Sequence, residues 1–409
     1  MKTTSAAYSG NTGLFGPAMI ENPYPLYQGL RARDPVHWDE GMGAWVLTSY
    51  EHCKTALKDP RFSSDRVSKM RHRYAEDYQE LFDILSVLMV QVDEPLHGRL
   101  RDLVHHAFTR TAVETYEEPI RSRGRALIEA MLEKPEADFI ADFAIPLPIL
   151  VISDIVGIPE EDRHLVKKWC DDYTVVALNY YTHLTKQQLE DGLSSVRAFK
   201  LYLFERVAEI RRSPGDNLLS ELVLAERDGH VLSEVELLAN TILLLNAGNE
   251  TTTALLGNGL KLLMDNPAQF QVLRERPELI PNAIEEFLRL DSPVQYVGRV
   301  AKEDVRLGDT TIARGELVLV MLGAAGRDPA LLDEPNKLDV TRTHDHHLAF
   351  GTGHHLCAGV QLARMESRIA FEELLKMTSR IESLPGELRH SENFSLRCYK
   401  SLPVRLVAR

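Results

Sequence analysis

The stretch from residue 233 to 267, SEVELLANTILLLNAGNETTTALLGNGLKLLMDNP, constrains the fold more than any other. Ser233 and Glu236 form a capping box that fixes a helix start, and Asp265-Asn266-Pro267 supplies the stop. Roughly 30 residues at about 1.5 Å each give a helix of ~45 Å, long enough to cross a whole domain. Its first half is apolar almost all round, which predicts burial. A chain organised on such a helix is mainly α.

The middle of this helix, Ala247 to Thr253 (AGNETTT), contradicts its surroundings. Gly248 and Asn249 are weak helix formers, and the hydroxyls of Thr251 to Thr253 compete for backbone carbonyls. Glu250 places a carboxylate in an otherwise buried segment. Conflict between local preference and fold marks a functional site. Gly248 would admit a ligand closely, and a threonine hydroxyl bonded to the preceding turn would open a groove. The alternative is an ordinary buried helix whose polar residues find partners.

A second unusual segment, HLAFGTGHHLCAGVQLAR, runs from His347 to Arg364. Gly351, Gly353 and Gly359 surround Cys357, implying a chain path that side chains would block. A helix begins near Gly359, and its unpaired N–H groups and positive dipole end favour thiolate over thiol at Cys357. Such a sulfur suits an axial metal ligand or a nucleophile, while a lone cysteine also serves as a buried hydrophobe. His354 and His355 with Cys357 allow a zinc reading, with a further ligand from Thr343 to His347 (THDHH).

The formal net charge of −13 argues against a nucleic-acid partner. Four scattered cysteines with no Cys-x-x-Cys pair point to a reduced compartment. The N-terminus lacks the apolar core of a signal peptide, and no apolar run is long enough to span a bilayer. These features predict a soluble, cytoplasmic protein with no membrane partner. No linker or repeat divides the chain, so residues 1–409 are expected to form one domain. β-like runs occur at PVHW, AWVLTS and ELVLVML; residues 61–92 suggest a loop with short helices over a pocket. Residues 160–215 suggest two helices joined around NYYTHLT.

Glu286 and Arg289 share a helix face amid Ile284, Phe287, Leu288 and Leu290, which predicts a buried ion pair with Arg342 as a further partner. His97 and Arg101, four apart, also share a face; Arg299 and His355 are the other scattered cations.

Together these segments resemble the cytochrome P-450 family of haem-thiolate monooxygenases. Phe350, Gly353, His355, Cys357 and Gly359 match its cysteine signature, AGNETT its oxygen-activating pattern, and EFLR its Glu-x-x-Arg. The likeness extends from NPYPLYQGLRARDPVHW to the closing SLPVRL. Leu338 in place of a frequent Phe is a small departure.

The resemblance implies the family's mainly α fold with small β-sheets, and haem b (iron protoporphyrin IX) between the long helix and the Cys357 helix. Cys357 would be the iron ligand, with Phe350 packed near the thiolate side. Thr251 and Glu250 would hold and relay protons for dioxygen activation, and Ala247 and Gly248 would border the oxygen pocket. His97, Arg101, Arg299 and His355 would pair with the haem propionates. Glu286, Arg289 and Arg342 would lock the core beneath the haem. Leu88 to Val90, Leu243, Leu244, Ala247, Val294 to Val297 and the turn from Arg397 to Tyr399 would wall a pocket for an apolar organic substrate. The expected reaction inserts one oxygen atom from dioxygen, with electrons from NAD(P)H through a ferredoxin or flavodoxin and its reductase. Arg364 and Arg110 are candidates for a basic docking face. A peroxide-driven peroxygenase and a haem-based sensor are the rival functions; the Glu250–Thr251 pair weighs against both.

Overall fold

The computed structural model describes residues 16–180, 184–224, 232–343, 347–386 and 388–409. Its centre is framed by helices α1 (Leu96–His105), α2 (Glu117–Leu132), α3 (Pro146–Val156), α4 (Arg163–Asn179), α5 (Lys186–Arg212), α6 (Glu234–Asp265), α7 (Ile280–Leu290) and α8 (Val360–Met377).

The 32-residue α6 starts and stops where its caps dictate. Ser233 Oγ accepts from the Glu236 N–H at 3.2 Å, and the Glu236 carboxylate accepts from the Ser233 N–H at 2.9 Å. Packing then holds the helix. Leu255, Leu256, Leu260 and Leu263 are buried in the main core, and burying each such side chain is worth ~1.5–3 kcal/mol. At Gly259 a Cβ would stand 2.7 Å from the Phe287 ring of α7 and 3.0 Å from Phe371 of α8. Glycine there lets α6, α7 and α8 close on one another. Both ends of the site are thereby fixed to one rigid unit, since α7 carries Glu286 and α8 follows Cys357.

A five-stranded sheet flanks the helices: β1 (Val36–Asp39), β2 (Ala44–Leu47), β3 (Phe62–Ser63), β4 (Val297–Ala301) and β5 (Leu317–Val320), in the order β1-β2-β5-β4-β3. The three apolar runs seen in the sequence are β1, β2 and β5. β2 pairs parallel with β5, while β5 pairs antiparallel with β4 and sets Arg299 opposite Val318. Ser63 lies opposite Val300, so β3 delivers the next residue, Ser64, to the neighbourhood of Arg299. Smaller sheets join Ala137–Asp138, Thr378–Ser383 and Pro403–Ala408, and Val305–Leu307 with Thr310–Ile312.

Residues 61–92 do form short helices, among them Val67–Met70 and Gln79–Ser86, with a 3-10 turn at Met89–Gln91. The expected pair in 160–215 is α4 and α5, with Thr185 capping the second through a capping box. Residues 181–183 of their connection lie outside the described residues.

Candidate active site

The cysteine loop owes its shape to two left-handed residues, Gly351 at φ 69° and Gly353 at φ 74°, where other side chains would be strained. The loop folds back so that the Cys357 N–H donates to the Phe350 carbonyl at 2.9 Å. Cys357 sits two residues before Gly359, the N-cap of α8. At Gly359 the backbone is ordinary and a Cβ would meet no protein atom within 4 Å. Burial pushes the Cys357 thiol up, and the Gly359 N–H with the Arg101 and Arg364 guanidiniums recovers only part of that shift.

α1 docks against this loop. The His97 and His355 rings stand 4.1 Å apart, and Arg101 Nη1 donates to the Leu356 carbonyl at 2.7 Å. Arg299 is buried on β4, with Nη1 donating to the Gly298 carbonyl at 2.8 Å. The four cationic residues expected to act together do converge. Sequence reading missed one further cation, Arg66, and one hydroxyl, Ser64. Arg66 is buried with its guanidinium on Gln91 Oε1, the Val90 carbonyl and the Gly298 carbonyl. Ser64 Oγ lies 2.9 Å from His355 Nε2. The charge of the cluster is visible in His355, which burial and then Arg299, His97, Arg66 and Arg101 hold down to about 2.

Opposing faces of α6 have separate tasks. Leu243, Ala247 and Thr251 recur every four residues along one face; Ala247 is exposed, and Leu243 and Thr251 are partly exposed, as are neighbouring Asn246, Gly248 and Glu250. Thr251 Oγ1 donates to the Ala247 carbonyl at 2.6 Å, the back-bonding that the sequence suggested. Leu244 and Gly248 lie on another face. Leu244 is buried in the core, and a Cβ at Gly248 would come within 2.9 Å of Ile152 on α3. Glycine here lets α6 and α3 approach closely.

Glu250 faces α4. Its carboxyl is raised to about 7, first by burial and then by Asp171, against the pull of Lys167. Lys167 and Asp171 line a crevice between α3, α4 and α6 whose inner wall includes Asn246 and Asn249. Glu250 and Thr251 are adjacent on α6: Glu250 feels the charges of α4, and Thr251 shares a helix face with Ala247 and Leu243.

Beneath, Glu286 and Arg289 are fully buried; Arg289 Nε and Nη2 donate to the carboxylate at 2.7 and 2.9 Å. Arg289 also donates to the carbonyls of Gly326 and Pro335, and Arg342 Nε lies 3.6 Å from Glu286 Oε1. The framework assembles as expected.

Among the intended pocket walls, Leu88 is buried, Val90 is exposed, and Val294 is bridged to Leu396 beside Val297 on β4. Arg397 does not belong with them. Its guanidinium is buried on Asp291 Oδ1 at 2.7 Å and on the carbonyls of Ile20 and Glu21. Of the two surface arginines, Arg364 is held by Glu285 and Arg110 by Glu114, so neither offers an uncompensated charge.

These residues fit haem. Its two propionates would be held by Arg299, Arg101, His97 and His355, beside the buried Arg66, and Cys357 in the glycine loop would be available to its iron. The zinc reading has no comparable support. Among the described residues no group of three His, Cys, Asp or Glu side chains could hold a metal ion; residues 344–346 lie outside them. No helix among those residues is long and apolar enough to cross a membrane.

The family model for Cytochrome P450 matches residues 36–379. The chain is 36% identical to the biotin biosynthesis cytochrome P450 of Bacillus subtilis over 94% of its length and 96% of the relative's. It is 35% identical to the vitamin D(3) 25-hydroxylase of Pseudonocardia autotrophica, covering 96% of each. Its fold matches P450BioI, solved with an acyl carrier protein bearing hexadec-9Z-enoic acid, at a TM-score of 0.89 and 35% identity, over 95% of this chain and 98% of that one.

Proposed function

The chain belongs to the cytochrome P450 family, an oxidoreductase with haem b as cofactor, and we propose that it hydroxylates or epoxidises an apolar substrate using Cys357 as the iron ligand. Residues 1–409 act in this reading as one catalytic domain. When bound, the haem supplies the redox-active iron at which dioxygen is reduced, and an anionic sulfur ligand favours O–O cleavage.

The protein's contribution is to bind, exclude water and deliver protons. His97, Arg101, Arg299 and His355 take the propionates, whose negative charge relieves the mutual repulsion of the buried cations. Phe350 covers the sulfur side. Leu88, Leu243, Val294 and Val297 offer an apolar wall with no charge to orient a polar substrate. The relatives named for a biotin-pathway step and for vitamin D(3) hydroxylation support a long hydrocarbon substrate, an acyl chain or a secosteroid.

One observation carries the choice of a dioxygen-using enzyme over a peroxygenase or sensor. Glu250, at about 7, is able both to hold and to release a proton at working pH, and it adjoins Thr251 on α6 within electrostatic reach of Lys167 and Asp171. It takes a proton from the side of Lys167 and Asp171 and hands it toward Thr251 Oγ1. That oxygen commits its own hydrogen to the Ala247 carbonyl and keeps its lone pairs for the incoming proton. Electrons come from NAD(P)H through a ferredoxin or flavodoxin and its reductase.

The test is a reconstituted turnover with isotopically labelled dioxygen and a fatty-acyl or secosteroid substrate. One labelled atom in the product per NAD(P)H consumed supports the proposal; product formed only with added peroxide contradicts it.

A further inference from the structure

Glu285 and Glu286 are neighbours on α7 but point to different partners. Glu286 takes Arg289, whereas Glu285 reaches the cysteine loop. Its Oε2 accepts from His347 Nε2 at 2.9 Å and Arg364 Nη2 at 2.7 Å, and its Oε1 accepts from Arg364 Nε at 2.8 Å. The Ala349 N–H donates to His347 Nδ1 at 3.2 Å, which assigns the ring proton to Nε2 and hence to Glu285. Burial alone would raise the Glu285 carboxyl; His347 and Arg364 outweigh it and hold it at about 2, so it is ionised throughout the working range.

Both partners touch Phe350. The His347 ring centroid is 5.9 Å from that of Phe350, and Arg364 Cζ is 5.2 Å from the ring centre. Phe350 is in turn tied to Cys357, whose N–H donates to its carbonyl. Arg364 lies on α8, whose N-terminus follows Cys357 directly, so its charge belongs to the same face as the loop. One carboxylate thus anchors the start of the loop, the Phe350 ring and the guanidinium stacked on that ring.

We propose that Glu285 is a positioning residue for Cys357: it fixes Phe350 through His347 and Arg364, and it offsets the Arg364 charge that would otherwise bias the haem toward reduction. This rests on the assignment of Cys357 as iron ligand. Removing the carboxylate leaves a net positive charge beside the sulfur and favours the state with one more electron. Removing Arg364 leaves the opposite charge and the opposite bias. Removing both restores near neutrality.

The experiment is a spectroelectrochemical titration of the haem-loaded protein and the variants Glu285→Gln, Arg364→Gln and the double substitution. Glu285→Gln should shift the ferric–ferrous equilibrium toward the reduced form by about tenfold, or about 59 mV for one electron. Arg364→Gln should shift it the other way, and the double variant should return toward the unsubstituted protein. Arg364 is partly exposed, so its variant reports even if Glu285→Gln loads haem poorly. Unchanged potentials in the single variants, with lowered thermal stability alone, would overturn the proposal and leave Glu285 a purely structural residue. A reduced carbon monoxide complex of the histidine-ligated kind in the unsubstituted protein would overturn the Cys357 assignment itself.

Discussion

Arg289 and Glu286 meet through two parallel hydrogen bonds, 2.7 and 2.9 Å long, with neither side chain exposed to solvent. Arg289 spends its other donors on the carbonyls of Gly326 and Pro335, so one guanidinium joins α7 to the chain that leads to the cysteine loop. Breaking a buried pair by removing one member costs ~3–5 kcal/mol, a large share of a domain's stability. Arg289→Ala should therefore yield little folded, haem-loaded protein. Haem content per chain and the thermal midpoint are the measurements; a stable, fully loaded variant would count against a structural role.

Glu366 on α8 is a buried carboxyl whose Oε1 finds no hydrogen-bond partner among the described residues. Burial raises it to about 8. The unfolded chain releases this proton near pH 4.5, whereas the folded protein keeps it until about pH 8. Between those values the folded state binds more protons, so stability falls as pH rises, by up to ~1.4 kcal/mol per pH unit. Glu366→Gln should flatten that slope and raise the thermal midpoint at pH 8 more than at pH 5. Equal shifts at the two pH values would contradict the account.

Glu250 predicts a catalytic pH limb. With its carboxyl at about 7, proton delivery weakens as pH rises through neutrality and the acid empties. Product formation should fall above about pH 7, and the limb should vanish in Glu250→Gln while the overall rate drops. A limb that survives the substitution unchanged belongs to another group.

Thr251 separates proton delivery from electron consumption. Thr251→Ala should keep haem, substrate binding and most NADPH oxidation while diverting electrons to hydrogen peroxide. Losing one general-acid function usually costs ~10²–10⁴ in rate, so the ratio of product to NADPH should collapse. Unchanged coupling with several substrates would mean that the hydroxyl only shapes the helix through Ala247.

Much of the site was legible because its signals are local. The spacing of Phe350, Gly353, His355, Cys357 and Gly359 lies within ten residues, and the caps of α6 lie at its own ends. What escaped is long-range. Ser64 reaches His355 across 291 positions, and Arg66 reaches Gly298 across 232. Glu285 was hidden for a related reason: its partners His347 and Arg364 follow only 62 and 79 positions later. β4 was missed because Gly298 interrupts an already short apolar run. Gly248 signals close approach without saying by what, and in the structure one close neighbour is Ile152. At Cys357 the sequence displays the helix start but not the depth of burial around the sulfur.

The central claim is that Cys357 supplies a sulfur ligand to haem iron, and the reduced carbon monoxide complex tests it most directly. The unsubstituted protein should give the strongly red-shifted absorption band of a thiolate-ligated haem, and Cys357→His should lose that band while still binding haem. A band of the histidine-ligated type in the unsubstituted protein, or a red-shifted band that persists in Cys357→His, would contradict it.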